Sequence, residues 1–291
     1  MKKLRLAYFG TPDFAADFLA RLAEDQDIPI EVTHVVTQPD RKVGRKQILT
    51  PTPVKFVAKK YNIEVIEDIV NLKSNISNLD LALVYAYGEI IPADLLTIPK
   101  YGFWNIHPSL LPLYRGPAPV AAALINGDTE TGVTIIQLDR EMDHGPILRQ
   151  EKLEISPNER RPELTNRLTN LGYELFTQCA HTLISDGIQS TPQDHSAATY
   201  TKLFTKKDGY IESSKLRTQN SELSREIFNK FRGLYPWPGI WSIVEISGQE
   251  KRLKITDMEL IGDKLVLRKV QLEGKNEVDF ATFKKAYNFT F

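Results

Sequence analysis

Two polar side chains close a short apolar stretch near the middle of the chain. Asn105 and His107 stand two residues apart at the end of the run 103–107, which has the composition of a β-strand. Alternate residues of a strand point to one face, so both side chains would meet the same ligand. An amide and an imidazole there could stabilise an oxyanion and move a proton, although a lone buried histidine is more often structural.

A carboxylate occupies a comparable place further along the chain. Asp143 follows the apolar run 132–139 and precedes a Gly-Pro turn, a position where Asp is usually just a turn former. Beside Asn105 and His107 it would complete a trio suited to acyl transfer, because it could orient the imidazole and accept a proton. The chain has no G-x-S-x-G elbow, which favours direct transfer to an amine over a covalent acyl-enzyme.

The elements that must position this trio alternate between two patterns. Apolar runs typical of strands occupy 4–10, 31–37, 79–88, 103–107 and 132–139, and helical spacing of apolar residues occupies 12–24, 53–62, 118–128 and 159–187. This alternation predicts an α/β fold with a mostly parallel, doubly wound sheet, whose active site lies beyond the carboxyl ends of the strands. The turn 9–15 has one of the three glycines of a dinucleotide fingerprint, which disfavours a nicotinamide site.

The last third of the chain has a different pattern. We predict a catalytic domain over 1–189, a polar linker over 190–206 and a second domain over 207–291, in which a helix at 213–234 precedes short strands and glycine turns typical of a small β-barrel. Residues 1–199 hold 20 Lys and Arg against 25 Asp and Glu, whereas residues 200–291 hold 17 against 12. This asymmetry, unless it is random scatter of surface charge, favours an anionic partner for the second domain.

A basic segment lies within the first domain. Residues 41–60 contain seven Lys and Arg and no acid, which predicts an exposed, adaptable loop that contacts phosphates; the plain alternative is a solvated face.

Composition excludes several classes of protein. The formal net charge is zero, which argues against a uniformly cationic nucleic-acid binder, and Cys179 is the only cysteine. The five histidines are scattered, so we expect no metal site. The first residues lack the long apolar core of a signal peptide, and no run approaches the length of a membrane span. We therefore expect a cytoplasmic protein that does not bind membranes. No strong self-association surface is readable in the sequence, so we also expect a monomer.

Several longer motifs resemble one known family nearly from end to end. They are FGTPDFA (9–15), VTQPDRKVGR (36–45), PTPVK (51–55), VYAYGEIIP (84–92), NIHPSLLPLYRGPAP (105–119), GDTETGVTIIQLDREMDHGPIL (127–148), YTKLFTKKDGYI (200–211) and YPWPGIW (235–241). On these residues the chain resembles the methionyl-tRNA formyltransferases, part of the wider group of 10-formyltetrahydrofolate-dependent formyltransferases.

The resemblance implies a fold, a reaction and a set of site residues. It implies a Rossmann-like formyltransferase domain followed by an OB-like barrel, and transfer of a formyl group from 10-formyltetrahydrofolate to methionyl-initiator-tRNA. It implies catalysis by Asn105, His107 and Asp143. The implied folate-binding residues are Ser109, Leu110, Leu111, Pro112, Tyr87, Gly88 and Ile90. The implied tRNA contacts are Arg41, Lys42, Arg45 and Lys46.

The chain also departs from the family pattern. The basic loop has RKQI where the family continues with R-G-K-K, and a stretch is missing near residue 262, which predicts a barrel trimmed by a couple of strands with exposed edges. The segment 270–287 resembles the family's closing helix. A sugar-amine N-formyltransferase and a non-catalytic folate- or RNA-binding protein are the alternatives.

Overall fold

The computed structural model describes residues 3–44, 46–69, 72 and 76–289. The chain divides into two compact units. Unit 1 comprises Met1–Pro117, Gly132–Leu153 and Thr165–Tyr200, and unit 2 comprises Ala118–Thr131, Glu154–Leu164 and Thr201–Phe291. The domain boundaries expected from the sequence, at 189 and 207, remain a prediction.

The strands and helices follow the alternation seen in the sequence. The strands are β1 (Leu4–Gly10), β2 (Ile30–Val36), β3 (Arg41–Val43), β4 (Ile48–Thr50), β5 (Glu64–Ile66), β6 (Leu81–Tyr85), β7 (Phe103–His107), β8 (Glu130–Gln137), β9 (Ile147–Glu154), β10 (Ile240–Ile246), β11 (Gln249–Ile261), β12 (Lys264–Leu272) and β13 (Glu277–Asp279). The helices are α1 (Asp13–Glu24), α2 (Pro53–Lys60), α3 (Pro119–Asn126), α4 (Arg161–Ser185), α5 (Ser221–Leu234) and α6 (Phe280–Tyr287).

A seven-stranded sheet in the order β5-β2-β1-β6-β7-β8-β9 carries the first part of the fold. The pairs from β5 to β7 are parallel, and β7 pairs with β8 antiparallel. The prediction of a mostly parallel α/β sheet is therefore confirmed. Strands β5 and β9 were not predicted. Strand β5 is only three residues long, and β9 has a polar sequence with mostly exposed residues, so neither has the apolar run of a covered strand.

Helices form where the sequence supplies an apolar face, and a capping residue adds a start signal in α2. Helix α1 buries Ala15, Phe18, Leu19 and Leu22, which recur at helical spacing. Helix α2 begins with Pro53 at its first turn, and the Thr52 hydroxyl accepts a hydrogen bond from the backbone N–H of Lys55.

The long helix α4 packs against the sheet through aromatic and hydroxyl contacts. The Tyr85 hydroxyl lies 2.8 Å from the Thr169 hydroxyl, and the rings of Trp104 and Phe176 meet edge to face at 6.3 Å. Each such ring pair contributes about 0.5–1.5 kcal/mol beyond the burial of its area. These contacts fix β6 and β7, and β7 carries the predicted site residues.

The basic segment 41–60 is more ordered than the loop that the sequence predicted. Strands β3 and β4 form an antiparallel hairpin in which Val43 pairs with Ile48, and helix α2 follows it. The turn is made by Gly44 and Gln47, both at positive φ. The strands are only three residues long with little apolar alternation, which is why periodicity did not reveal them.

Unit 2 contains a small antiparallel sheet, as predicted for the C-terminal region. Its order is linear, β10-β11-β12-β13, so the described residues form an open sheet, with Ile261 of β11 paired to Lys264 of β12 across a two-residue turn. This tight turn lies where the family resemblance predicts that a stretch is missing. Its assignment as an OB-like barrel remains a prediction. The closing helix is shorter than expected, since only Phe280–Tyr287 is helical.

Among the helices of the described residues, none is both long enough and apolar enough to cross a membrane.

Candidate active site

The structure brings the predicted trio together. Asn105 and His107 lie at the end of β7, where they pair with Ile136 and Thr134 of β8. Asp143 lies in the turn between β8 and β9. The Asn105 side-chain amide donates to Asp143 Oδ1 at 3.1 Å, and His107 Nδ1 lies 3.5 Å from Asp143 Oδ2.

Three groups surround the Asp143 carboxylate. Besides Asn105 and His107, the backbone N–H of Gly116 donates to Asp143 Oδ2 at 2.7 Å. The carboxylate side chain retains 12% of its exposure, so it is largely shielded from water but still accessible. Donors on both oxygens fix the plane of the carboxylate. Among the described residues, the second amide N–H of Asn105 has no partner and could meet a ligand.

The imidazole of His107 has a defined orientation. Its Nε2 lies 2.9 Å from the Tyr114 carbonyl oxygen, and the ring is buried. A carbonyl can only accept, so Nε2 carries a proton and donates it to Tyr114. Nδ1 is therefore the ring nitrogen that faces Asp143 and is left for chemistry, and it can act as a donor only when the ring is protonated on both nitrogens.

The turn that carries Asp143 has an unusual backbone. Asp143 has a φ of +50°, a left-handed conformation that Asp adopts more readily than most residues. Two residues later, a Cβ on Gly145 would collide with the Gln137 carbonyl oxygen, so only glycine fits. This backbone conformation directs the Asp143 side chain toward β7.

The Ser-Leu-Leu-Pro segment is pinned from behind by β8 and β9. The Thr134 hydroxyl donates to the Ser109 carbonyl at 2.6 Å and accepts from the Leu111 N–H at 3.1 Å, and Gln150 donates to the Leu111 carbonyl. The Ser109 hydroxyl is buried and donates to the Leu113 carbonyl. Ser109 and Leu111 are therefore used internally, whereas Leu110 and Pro112 are half-buried and accessible to a ligand.

The other predicted folate-binding residues differ in exposure. The Tyr87 ring is buried edge-on against Phe9, and burial raises the pKa of its hydroxyl, so its side chain serves the core. Its carbonyl accepts from Gln38, and Gly88 follows at a φ of +85°. Ile90 is 90% exposed. A ligand could meet the backbone of this segment and Ile90, and their folate role stays a prediction.

The predicted tRNA contacts lie on the β3–β4 hairpin. Arg41, Lys42 and Lys46 are exposed, and Arg45 lies outside the described residues. The hairpin is anchored next to Asp40, which receives a 2.6 Å hydrogen bond from the buried Lys55 ammonium. The exposed cations therefore lie on a hairpin whose start is held by this hydrogen bond. Their contact with tRNA remains a prediction.

Sequence reasoning missed two residues beside the trio, Arg115 and Gln193. Both are buried, and the Gln193 amide bonds the turn that carries Asp143. Gln193 lies in the segment 190–206 that we expected to be a linker, because polar composition does not distinguish a solvated chain from one that is hydrogen-bonded. Arg115 lies within the family motif, but its burial has no sequence signal.

Among the described residues, no group of three or more His, Cys, Asp or Glu side chains could hold a metal ion.

Comparison with known proteins assigns the chain to a protein family. The sequence pattern of the family described as formyl transferase matches residues 2–180. The fold and the site thus define a formyltransferase built on a Rossmann-like sheet.

Relatives narrow the assignment. The chain is 41% identical over 263 residues to a methionyl-tRNA formyltransferase of Caldicellulosiruptor saccharolyticus, a match covering 88% of this chain and 79% of the relative. It is 40% identical over 242 residues to that of a Roseiflexus species, covering 81% and 72%, and 36% identical over 268 residues to that of Staphylococcus aureus, covering 88% and 80%. The chain belongs to the methionyl-tRNA formyltransferase family, which confirms the resemblance.

Solved structures share the fold at lower identity. A 4-N formyltransferase from Francisella tularensis superposes with a TM-score of 0.65 at 20% identity, covering 86% of this chain and 96% of that one. An N-formyltransferase from Helicobacter canadensis, in complex with folinic acid and dTDP-3-aminofucose, has a TM-score of 0.60 at 18% identity, covering 96% and 99%. At such identities the likeness shows the fold.

Proposed function

We propose that this protein transfers the formyl group of 10-formyltetrahydrofolate to the amino group of methionyl-initiator-tRNA, for translation initiation. One observation carries the proposal: Asn105 and His107 converge on the Asp143 carboxylate in a chain whose relatives are named for methionyl-tRNA formylation. The protein would act in the cytoplasm, as a monomer without a metal ion.

The chemistry follows from the donors that remain free to act. When the amine attacks the formyl carbon, negative charge builds on the formyl oxygen. The second N–H of Asn105 and the imidazole of His107 would stabilise that charge, and one well-placed donor contributes about 3–4 kcal/mol. The new N–C bond forms as the bond from the formyl carbon to the folate nitrogen breaks.

Proton transfer falls to the carboxylate. The attacking amine must lose a proton, and the folate nitrogen must gain one. Asp143 would accept the amine proton directly or through a water molecule, and it would hold His107 in place meanwhile. General-base help of this kind typically contributes about 10²–10⁴-fold.

Two surfaces support the substrates. The half-buried Leu110 and Pro112 would form an apolar wall for the folate, since the backbone between them is fixed by Thr134 and Gln150. The exposed cations of the β3–β4 hairpin, with the C-terminal sheet, would meet the phosphates of the tRNA.

A formylation assay with three acceptors tests the proposal. The protein is given 10-formyltetrahydrofolate and, in parallel, methionyl-initiator-tRNA, methionyl-elongator-tRNA or an aminosugar nucleotide. We expect rapid transfer to the initiator tRNA only. Transfer to the aminosugar instead would establish a sugar-amine N-formyltransferase, and transfer to any amine would exclude a non-catalytic binding protein.

A further inference from the structure

The side-chain amide of Gln193 makes four hydrogen bonds beside the trio. Its Nε2 donates to the Asp143 carbonyl at 2.9 Å and to the Gly145 carbonyl at 2.7 Å. Its Oε1 accepts from Arg115 Nε at 3.2 Å and from Arg115 Nη2 at 2.7 Å. A glutamine amide has two donors and an oxygen with two lone pairs, so this one is fully used. Gln193 is 5% exposed, and its bonds are therefore shielded from competing water.

The two carbonyls that Gln193 holds belong to the strained part of the turn. Asp143 is at a positive φ, and a side chain at position 145 would not fit. A non-glycine residue in this conformation costs of order 1–3 kcal/mol and persists only where neighbouring groups enforce it. The amide of Gln193 spans the turn from 143 to 145 and supplies such a constraint.

Arg115 orients the Gln193 amide and links it to the backbone stretch 114–116, which contacts His107 and Asp143. Arg115 is 2% exposed, and its guanidinium also reaches His195 Nδ1 at 2.8 Å and the Tyr200 hydroxyl at 3.3 Å. Its chain neighbours are Tyr114, whose carbonyl faces His107 Nε2, and Gly116, whose N–H holds Asp143. The same backbone stretch thus touches both the imidazole and the carboxylate.

The chain around Gln193 is itself fastened on two sides. Thr191 exchanges backbone hydrogen bonds with Ile147 at 2.7 and 2.8 Å, just after the turn. Thr199 accepts from the Arg115 N–H at 2.9 Å through its carbonyl, and from the Tyr114 N–H through its hydroxyl. The segment therefore bridges the loop that contacts His107 and the turn that carries Asp143.

We propose that Gln193, oriented by Arg115, is a positioning residue that holds the 143–145 turn so that the Asp143 carboxylate meets Asn105 and His107. The inference rests on the proposed role of Asp143 in formyl transfer. Because every hydrogen-bonding position of its amide is used within the protein, Gln193 would act through the backbone of Asp143. A misplacement of about 1 Å at a reacting group can cost about 10²-fold in rate, so removal of this restraint would lower kcat.

The test variant is Gln193→Glu. A carboxylate still accepts both bonds from Arg115, but it cannot donate to the carbonyls of Asp143 and Gly145. The matched control is Gln178→Glu on α4, where Gln178 also accepts from an arginine, Arg149, but at the exposed surface. Thermal unfolding is followed on the same samples, and rates are referred to the folded fraction.

We expect Gln193→Glu to lower kcat for methionyl-tRNA formylation by about 10–100-fold, with KM for either substrate within about twofold of the wild type. Gln178→Glu should match the wild type. The Arg115→Lys variant tests the same pair from the other side, because an ammonium lacks the two-pronged geometry, and a smaller drop in kcat is expected. Wild-type kcat in Gln193→Glu would overturn the proposal.

A double-mutant comparison separates positioning from general support of the fold. If Gln193 acts through Asp143, then Gln193→Glu should add less than about threefold on the Asp143→Asn background. If the two effects multiply, Gln193 acts elsewhere and the proposal fails.

Failure of the proposed function would have a different signature. If the wild type or Asp143→Asn shows that formyl transfer does not use this carboxylate, the reaction assigned above is wrong. The positioning of the turn is then judged by a crystal structure of Gln193→Glu. Absence of the hydrogen bond between Asn105 and Asp143 in that variant would support the restraint, and an unchanged turn would overturn it.

Discussion

At the scale of single residues, the site depends on which atoms remain available after the fold has used the others. Asn105 gives one amide N–H to Asp143 and keeps the second, and His107 gives Nε2–H to Tyr114 and keeps Nδ1. Ser109, by contrast, is one of the predicted folate-binding residues, but its hydroxyl donates a hydrogen bond to the Leu113 carbonyl. At this scale, the groups that can bind a substrate are those not already hydrogen-bonded within the protein. Residue type alone does not reveal which groups these are.

Asp143→Asn tests the proposed base with little change in shape. We expect kcat to fall by about 10²–10⁴-fold because an amide cannot accept the amine proton, while thermal unfolding changes little. Steady-state formylation kinetics measure the effect. Asp186→Asn, an exposed carboxyl at the end of α4, is the control and should retain full activity. Near-normal turnover in Asp143→Asn would remove the carboxylate from the mechanism.

At the scale of elements, contacts between distant segments fix the positions of charged side chains that the sequence alone suggests are mobile. The basic segment is a hairpin fixed next to the Asp40–Lys55 ion pair, and α1 ends where Asp25 receives a hydrogen bond of 2.7 Å from Tyr173 of α4. In both arrangements a hydrogen bond fixes the position of a carboxylate, that of Asp40 or of Asp25. The hairpin matters for the proposed binding of the tRNA, and the helix contact matters for stability.

The hairpin predicts a specific decrease in tRNA affinity. We expect the double variant Arg41→Ala, Lys42→Ala to raise KM for methionyl-tRNA. It should also reduce the slope of log affinity against log salt by about one for each phosphate that the protein no longer neutralises. KM for the folate should not change. Lys100→Ala removes an exposed charge far along the chain and serves as control. An unchanged salt slope would contradict a role for the hairpin.

The contact between α1 and α4 predicts a pH-dependent change in stability. The Tyr173 hydrogen bond holds the pKa of Asp25 below its usual range. A carboxyl with a depressed pKa stabilises the fold above its unfolded pKa of about 3.9, and this contribution is lost as the pH falls through the folded value. Tyr173→Phe should therefore cost about 1 kcal/mol near neutral pH, and progressively less below about pH 4.

Urea unfolding across this pH range measures the effect of Tyr173→Phe. Tyr287→Phe, a partly exposed tyrosine of α6, is the matched control and should show no such trend. A difference between wild type and Tyr173→Phe that stays constant with pH would show that the hydroxyl does not act through Asp25.

At the scale of the whole molecule, charge is divided along a chain whose formal net charge is zero. The acidic excess lies before residue 200 and the basic excess after it, where the structure has a four-stranded open sheet. Binding of a polyanion by such a chain must depend on local cations, because the overall charge supplies no attraction.

This division predicts different salt responses for the two substrates. We expect kcat/KM for methionyl-tRNA to fall by more than about tenfold between about 50 and 200 mM salt, because counterions compete with the phosphates. KM for the folate should respond weakly over the same range. Formylation kinetics at several salt concentrations measure both. A salt-insensitive response to the tRNA would contradict phosphate binding by the hairpin and the C-terminal sheet.

Much of this protein could be predicted because several of its signals are local. The mostly parallel sheet follows from apolar runs at regular intervals, and the spacing of Asn105 and His107 places them on one face of a strand. Strands β5 and β9 and the hairpin strands β3 and β4 were not predicted, because they lack the apolar periodicity on which such predictions depend.

The sequence by itself determined the type of fold, the trio of polar residues and the family, because each depends on residue identity and spacing along the chain. Only the tertiary structure decided that Gln193, in a segment of plain polar composition, bonds the turn of Asp143, and that Tyr87 is spent on the core. The physical reason is that burial and hydrogen-bond partners arise from residues distant in sequence. The residue type shows that a side chain can form hydrogen bonds, whereas the tertiary structure determines which partner it bonds.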